Sequence, residues 1–319
     1  MTLAGHDDPW RQWQAALAGP RLHHGWILTG RRGIGKAAFA LRAARELVAE
    51  PGIQQPAQHP DIIVLEPLPA SADDEKKREE GKPYQVKRNI SVDQVRAMQQ
   101  RLTTRPTLGS RRAIIIDPAD DLEKGAANAL LKSLEEPPVG SYFLLVTHRL
   151  GRLLPTIRSR CRILQFPRLD DSAIDAILQR EVPKADPAAR AAAIAAAGGS
   201  PGAALEFLEL DLGPMHRVMV DIAEKGDPDF ARRGRLSEAM GARPDRRRQL
   251  AAIDLARAVV AERMDRMERS AIPALADTHA ELVRLAAQAP TFNFDPGLLV
   301  MEIGTLLASL AAPREAAHG

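Results

Sequence analysis

The sequence predicts an α/β fold in which a parallel sheet, covered on both faces, is followed by a purely helical C-terminal half. Three observations predict it. Short apolar runs alternate with helical stretches through residues 1–167; a glycine-rich turn joins one such run to the first long helix; and the strand signal stops after Pro167.

Taken in order, residues 10–17 read as a short amphipathic helix. Residues 25–29 (GWILT) are a strand, glycines follow at once, and residues 37–49 (AAFALRAARELVA) are a helix rich in Ala and Leu. A second strand is expected at 61–65 (DIIVL). Residues 69–88 are charged and rich in small side chains, which predicts an exposed, partly disordered loop whose Lys and Arg could also touch DNA. Residues 91–102 form a helix with Ser91 as its N-cap. A buried strand at 112–117 (RAIIID) ends in an acid; residues 128–134 lie on a helix that Pro137 and Pro138 terminate; and a further strand follows at 142–147 (YFLLVT). Residues 157–166 hold a polar turn and the last strand. Beyond it, residues 170–207 read as a small helical unit interrupted by GGSPG at 198–202. Everything from Pro214 onward looks helical, for example 246–267 and 298–310. Boundaries near 167 and 212 divide the chain into 1–167, 168–212 and 213–319.

Composition narrows the function classes. Of 319 residues, 45% are hydrophobic and 27% charged, as in water-soluble globular chains. A net charge of +3 and a pI near 9.2 permit nucleic-acid contact without demanding it. Aromatics at 4% leave little for base stacking. The single cysteine, Cys161, excludes an intrachain disulfide and any cysteine-based zinc site. No apolar run approaches the roughly 18–20 residues that span a bilayer, and residues 1–13 lack a leader pattern, so a cytoplasmic location and no membrane contact are expected.

The chemistry concentrates at residues 30–36 (GRRGIGK). This G-x-x-x-x-G-K spacing lets backbone N–H groups turn inward around phosphates, with Gly30, Gly33 and Gly35 shaping the loop and Lys36 adding a point charge. The following helix points its positive end at the same place. The next position should carry a Ser or Thr hydroxyl for Mg²⁺, yet it is Ala37, and Ala38 does not replace it. Asp117, at the end of its strand, has the placement of an acid that holds Mg²⁺; a turn or N-cap role is the alternative. The glutamate that would polarise water next to it is Pro118. Asp120 and Asp121 are displaced along the chain and are not assigned as bases. Thr147 ends a strand where a polar side chain would face a γ-phosphate. Arg158 and Arg160 flank Ser159 on a turn; an arginine so presented can reach a partner's phosphate, although a lone surface Arg is commonly solvated.

Several segments together resemble one family. RLHHGWILTGRRGIGK (21–36), HPD (59–61), SVDQVR (91–96), AANALLKSLEEPP (126–138), LLPTIRSRCRILQF (153–166), GGSPGAAL (198–205) and FNFDP (292–296) are similar to the delta prime family of bacterial DNA polymerase III clamp-loader subunits. The resemblance implies an AAA+ core, a helical lid over 168–212 and a helical collar over 213–319. It implies a stator in a hetero-pentamer with gamma/tau and delta subunits that places a sliding clamp on primed DNA in replication. Arg160, in the SRC motif, would act in trans at the ATP site of a neighbouring subunit. The chain would belong to the polymerase III holoenzyme, a nucleotidyltransferase complex, without independent activity of its own. Gly30, Gly33, Gly35, Lys36, Asp117 and Thr147 would form a degenerate site holding ATP or ADP vestigially. In the motor subunits of this family a second-sensor arginine stands near GGSPG; here Pro201, Gly202 and Ala203 stand there. No metal is expected: the zinc module of related subunits is absent, since residues 49–60 contain no cysteine and His59 alone is no substitute.

Three other readings stay open at this point. An active AAA+ motor subunit has Lys36 in its favour. A P-loop kinase accounts for GRRGIGK but not for NALLKSLEEPP or SRC. A simple DNA-binding protein finds little support in the mild charge.

Overall fold

A computed structural model describes residues 5–266, 272–288 and 294–311, and the chain divides into two compact units, Met1–Arg168 and Leu169–Gly319. Phe292 and Asn293 of the FNFDP segment, and Met267 at the end of an expected helix, lie outside the described residues.

In the first unit α1 (Asp7–Ala18) precedes β1 (Gly25–Thr29), which leads through the glycine loop into α2 (Lys36–Leu47). β2 (Ile62–Leu65), α3 (Ala72–Glu79), α4 (Val92–Leu102) and β3 (Arg112–Ile116) follow. Then come α5 (Lys124–Glu135), β4 (Ser141–Thr147), the short α6 (Pro155–Arg158) and β5 (Arg162–Gln165). The five strands form one sheet in the order β2-β3-β4-β1-β5, and every neighbouring pair is parallel.

Side chains alternate across this sheet, as the pleat requires. Ile27, Ile114, Ile116, Phe143 and Leu145 face one way, onto Val95 and Met98 of α4 and Leu130 and Leu134 of α5. Trp26, Leu28, Ile115, Leu144 and Val146 face the other way, onto Trp13 of α1 and Phe39, Ala43 and Leu47 of α2. Both faces are covered, so β3 is buried along its whole length, which is why RAIII reads as a continuous apolar run.

Residues 69–88 correct the sequence expectation of a partly disordered loop. They carry α3, which is exposed but regular, between ends joined by an antiparallel bridge from Pro69 to Val86. The Ser71 hydroxyl accepts the Asp74 N–H at 3.1 Å. Asp73, Asp74 and Glu75 fill the first turn and Lys76, Lys77 and Arg78 the last, as the helix dipole favours. Lys77 also pairs with Asp73 one turn back, at 2.5 Å. Low hydrophobicity concealed these local signals. At α4 the expected cap is present as a full capping box between Ser91 and Gln94.

The HPD segment has a structural role. Asp61 is fully buried and accepts the N–H groups of Thr107 (2.7 Å) and Leu108 (2.8 Å). Its carboxylate lies 3.6 Å from Nε of the buried Arg112, whose other nitrogens donate to the carbonyls of Arg101 (2.6 Å) and Arg105 (2.9 Å). One buried ion pair thus fixes the connection from α4 to β3.

In the second unit, α7 (Asp171–Glu181), α8 (Pro187–Ala197) and α9 (Pro201–Glu209) each begin at a capping side chain, from Asp170, Asp186 and Ser200. GGSPG is the junction between α8 and α9. Gly198 ends one helix in the left-handed region (φ 54°), Ser200 caps the next, and Pro201 opens it. α10 (Gly213–Lys225), α11 (Ala231–Met240), α12 (Arg246–Arg266), α13 (Ile272–Gln288) and α14 (Pro296–Ala308) complete the unit. Gly304 of α14 admits Arg233 of α11 so closely that a Cβ there would lie 2.7 Å from Arg233 Cγ. Among the described residues no helix is long and apolar enough to cross a membrane.

Asp61→Ala would leave a buried guanidinium without its counter-ion and two amides without their acceptor. It is expected to destabilise the first unit by about 3–5 kcal/mol, read as a lower urea midpoint at unchanged slope. A loss below about 1 kcal/mol would mean that Asp61 does not anchor this connection.

Candidate functional site

The glycine loop turns directly off the C-terminal end of β1. A Cβ at Gly30 would lie 2.7 Å from the Phe166 carbonyl oxygen, so only glycine fits there. Gly35, at the N-cap of α2, has φ 102° and no side chain to satisfy the first amides of the helix. Those amides and the helix dipole form an anion cradle in their own right.

Lys36 is buried, and its Nζ donates to the loop's own carbonyls at Gly30 (2.8 Å) and Arg31 (2.6 Å). Burial pushes its pKa down to about 8, against the opposing pull of Asp117 and Asp120. The next side chain, Ala37, is exposed and offers a methyl group where Mg²⁺ needs an oxygen.

Asp117 follows β3, joined to Pro118 by a cis peptide bond, and its N–H donates to the Leu65 carbonyl at 2.9 Å. Burial raises its pKa, opposed by Lys36. Asp121 is raised too, by burial and then by the charge of Asp120.

Asp120 has a role that its position in the sequence did not disclose. It accepts the Thr147 hydroxyl (2.8 Å) and the His148 N–H (2.6 Å). The Arg149 N–H reaches the same carboxylate at 3.3 Å. Asp120 is therefore the clamp on the end of β4, and it takes the hydrogen of Thr147. His148, next to Thr147, has its pKa pushed down to about 4 by burial and then by the positive charge of Lys36. Lys36, Asp117, Asp120, Thr147 and His148 thus gather at the C-terminal edge of the sheet.

His6 is a second participant without a sequence signal. It is buried, its Nε2 donates to the Ile34 carbonyl at 2.5 Å, and its ring meets Phe166 edge-on at 4.9 Å between centroids. His6 therefore packs against the glycine loop. The amides at the start of α2 are available to a phosphate, Lys36 is engaged with the loop's own carbonyls, and Ala37 leaves an Mg²⁺ site without its hydroxyl.

Arg160 is elsewhere. Cys161 is the anchor of its turn: it is half-buried, and desolvation pushes the pKa of its thiol up to about 12. It packs so tightly on β1 that a Cβ at Gly25 would lie 2.9 Å from its Sγ and 3.1 Å from the Arg160 carbonyl. Arg160 thus stands beside the first residue of β1, whereas the loop begins after the last. At about 3.3 Å per strand residue the two are separated by roughly 16 Å along β1. Register agrees, since β5 runs parallel to β1 from Trp26↔Arg162 to Thr29↔Gln165. The guanidinium Nη2 pairs with Glu135 at 2.7 Å, and Nη1 donates to the Thr156 carbonyl at 2.9 Å.

The depressed pKa of His148 has a consequence for pH. An unfolded histidine binds its proton near 6.5, whereas the folded chain resists it until about 4. Stability contributed by neutral His148 is therefore present above about 6.5 and lost as pH falls from there to 4. His148→Gln is expected to flatten this part of the stability profile, and an imidazole NMR titration of the native chain should give a midpoint near 4. A midpoint at or above 6.5 would contradict the burial.

With the geometry in hand, the comparisons with known proteins are specific. The chain matches the family described as DNA polymerase III, delta subunit, over residues 5–170. It is 36% identical over 213 residues to the DNA polymerase III subunit delta' of Pseudomonas aeruginosa, covering 60% of this chain and 58% of that one. Against the delta' subunit of Escherichia coli identity is 31% over 210 residues, covering 62% and 58%. The gamma/tau subunit of Mycobacterium tuberculosis is 31% identical over 204 residues, which cover 61% of this chain and 34% of that protein. The matches to the delta' relatives therefore span under two thirds of their length. A DNA polymerase III gamma subunit-related protein from Thermotoga maritima shares the fold, with a TM-score of 0.53 at 17% identity over 95% of this chain and 99% of that one. The parallel five-stranded sheet with its glycine loop is an AAA+ P-loop core, and the chain belongs to the DNA polymerase III delta-subunit family, with delta' proteins among its relatives.

Proposed function

We propose that the chain is the non-motor, stator subunit of a clamp loader, working in trans through Arg160 rather than through its own loop. One observation carries the reading: Arg160 and the loop 30–36 lie at opposite ends of β1. An arginine so placed has no use at its own chain's phosphate site but is available to a nucleotide on a neighbour. Its planar, permanent charge suits the charge that develops in phosphoryl transfer.

The chain's own loop supports the same division of labour. Lys36 is committed to loop carbonyls, Ala37 has no metal-binding hydroxyl, and Pro118 occupies the place of a water-polarising acid. ATP or ADP is held here weakly, by the amides of the loop and by a Lys36 that must first leave its loop carbonyls, with no efficient turnover. In this reading the second unit divides into a lid, 168–212, and an oligomerising collar, 213–319. The partners are gamma/tau-type ATPase subunits and a delta-type subunit in a hetero-pentamer, acting on a sliding clamp and primed DNA in the cytoplasm.

The match to gamma/tau proteins and the retained Lys36 favour one alternative, an active motor subunit. Purified chain is expected to show no ATP turnover, and Lys36→Ala no change. Turnover abolished by Lys36→Ala would establish the motor reading instead.

In a complex reconstituted with its ATPase partners, Arg160→Ala is expected to remove hydrolysis at the one site it serves. Arginine fingers are worth on the order of 10³ or more in rate, so the whole complex loses that site's share of turnover. A normal rate with Arg160→Ala would exclude the trans-arginine role.

A further inference from the structure

We propose that Glu135 is a positioning residue for Arg160, holding its guanidinium in the orientation in which it meets a neighbour's phosphate. The proposal rests on the trans-arginine reading above and adds to it the group that orients the arginine.

The observation is an ion pair between two elements far apart in sequence. Glu135 is the last residue of α5, and Arg160 follows α6; Nη2 and Oε1 are 2.7 Å apart. Glu135 is itself held in place. Pro137 and Pro138 prevent the helix from continuing, and His24 donates from Nε2 to the carbonyl of Leu134 at 2.9 Å, tying the end of α5 to the residue before β1. On the other side, Arg160 Nη1 donates to the Thr156 carbonyl (2.9 Å) and the Ser159 hydroxyl (3.3 Å). Three acceptors on two segments, the end of α5 and the α6 turn, therefore fix one guanidinium, and Nε and the second Nη2 hydrogen remain uncommitted among the described residues.

Exposure decides what the pair can do. The Arg160 side chain is 34% exposed and that of Glu135 49%. An exposed pair adds little to stability, because holding long side chains in one geometry offsets the Coulomb gain. The same restraint is useful when the held group must act. An arginine already in its working rotamer loses less freedom on meeting a phosphate, and its fork stays aimed. Removing Glu135 would leave two like-side acceptors on Nη1 and let the fork swing about them.

The test uses the reconstituted complex with its ATPase partners. Glu135→Ala is expected to lower kcat at the site Arg160 serves about twofold to fivefold, the range an exposed pair supports, with KM for ATP unchanged. Glu135→Gln, which keeps an acceptor oxygen, should recover part of the loss. In an Arg160→Ala background Glu135→Ala should have no further effect. A wild-type rate with Glu135→Ala, beside an impaired Arg160→Ala, would overturn the positioning role and leave the trans-arginine reading intact. So would a faster rate, which would make the pair a restraint, or an equal loss in both backgrounds, which would make it structural. A normal rate with Arg160→Ala would remove the reading on which the proposal stands.

Discussion

The parallel pairing of β1 with β4 on one side and β5 on the other is the constraint on which both functional features depend. Its C-terminal end feeds the glycine loop and abuts the Thr147 end of β4. Its first residue packs tightly on Cys161: a Cβ at position 25 would lie 2.9 Å from Sγ and 3.1 Å from the Arg160 carbonyl oxygen. One buried strand therefore sets the phosphate cradle and the arginine at opposite edges of the same sheet. Arg160 and the glycine loop are separated by roughly 16 Å along β1, and the proposed trans role rests on that separation.

The glycine loop combines a well-defined backbone shape with few groups suited to holding a metal. Its backbone shape is intact, and that shape is set by sterics and packing: Phe166 against Gly30, and His6 on the carbonyl of Ile34. Ala37 and Pro118 offer no side-chain oxygen to a metal or a water. The surviving charges are turned to internal use. Lys36 bonds its own loop, and Asp120 clamps the end of β4. The buried pair of Asp61 and Arg112 serves structure in the same way, at the other end of the sheet from the loop.

Much of this was legible in the chain itself. The buried strands announced themselves because both faces of the sheet are covered, and Ser91 announced the start of α4 through its spacing to Gln94. The expectation of a weakened metal site rests on Ala37 and Pro118, which carry no side-chain oxygen. Residues 69–88 misled because lack of apolar residues was given more weight than capping: Ser71, the acids behind it and the bases beyond form a helix that buries nothing. Other features had no local signal at all. Asp120 and Asp121 are adjacent and chemically alike, and only the end of β4 distinguishes them. His6 meets a residue 28 positions away, and Glu135 pairs with an arginine on another element; contacts of that kind arise from the tertiary fold, and spacing does not encode them.

The most direct measurement is a structure of the assembled complex with a slowly hydrolysed ATP analogue and Mg²⁺. The Arg160 guanidinium is expected within hydrogen-bond distance of a neighbour's γ-phosphate, with no Mg²⁺ coordinated at the loop 30–36. Arg160 remote from every nucleotide, or Mg²⁺-bound analogue seated against Lys36 of its own chain, would contradict this expectation.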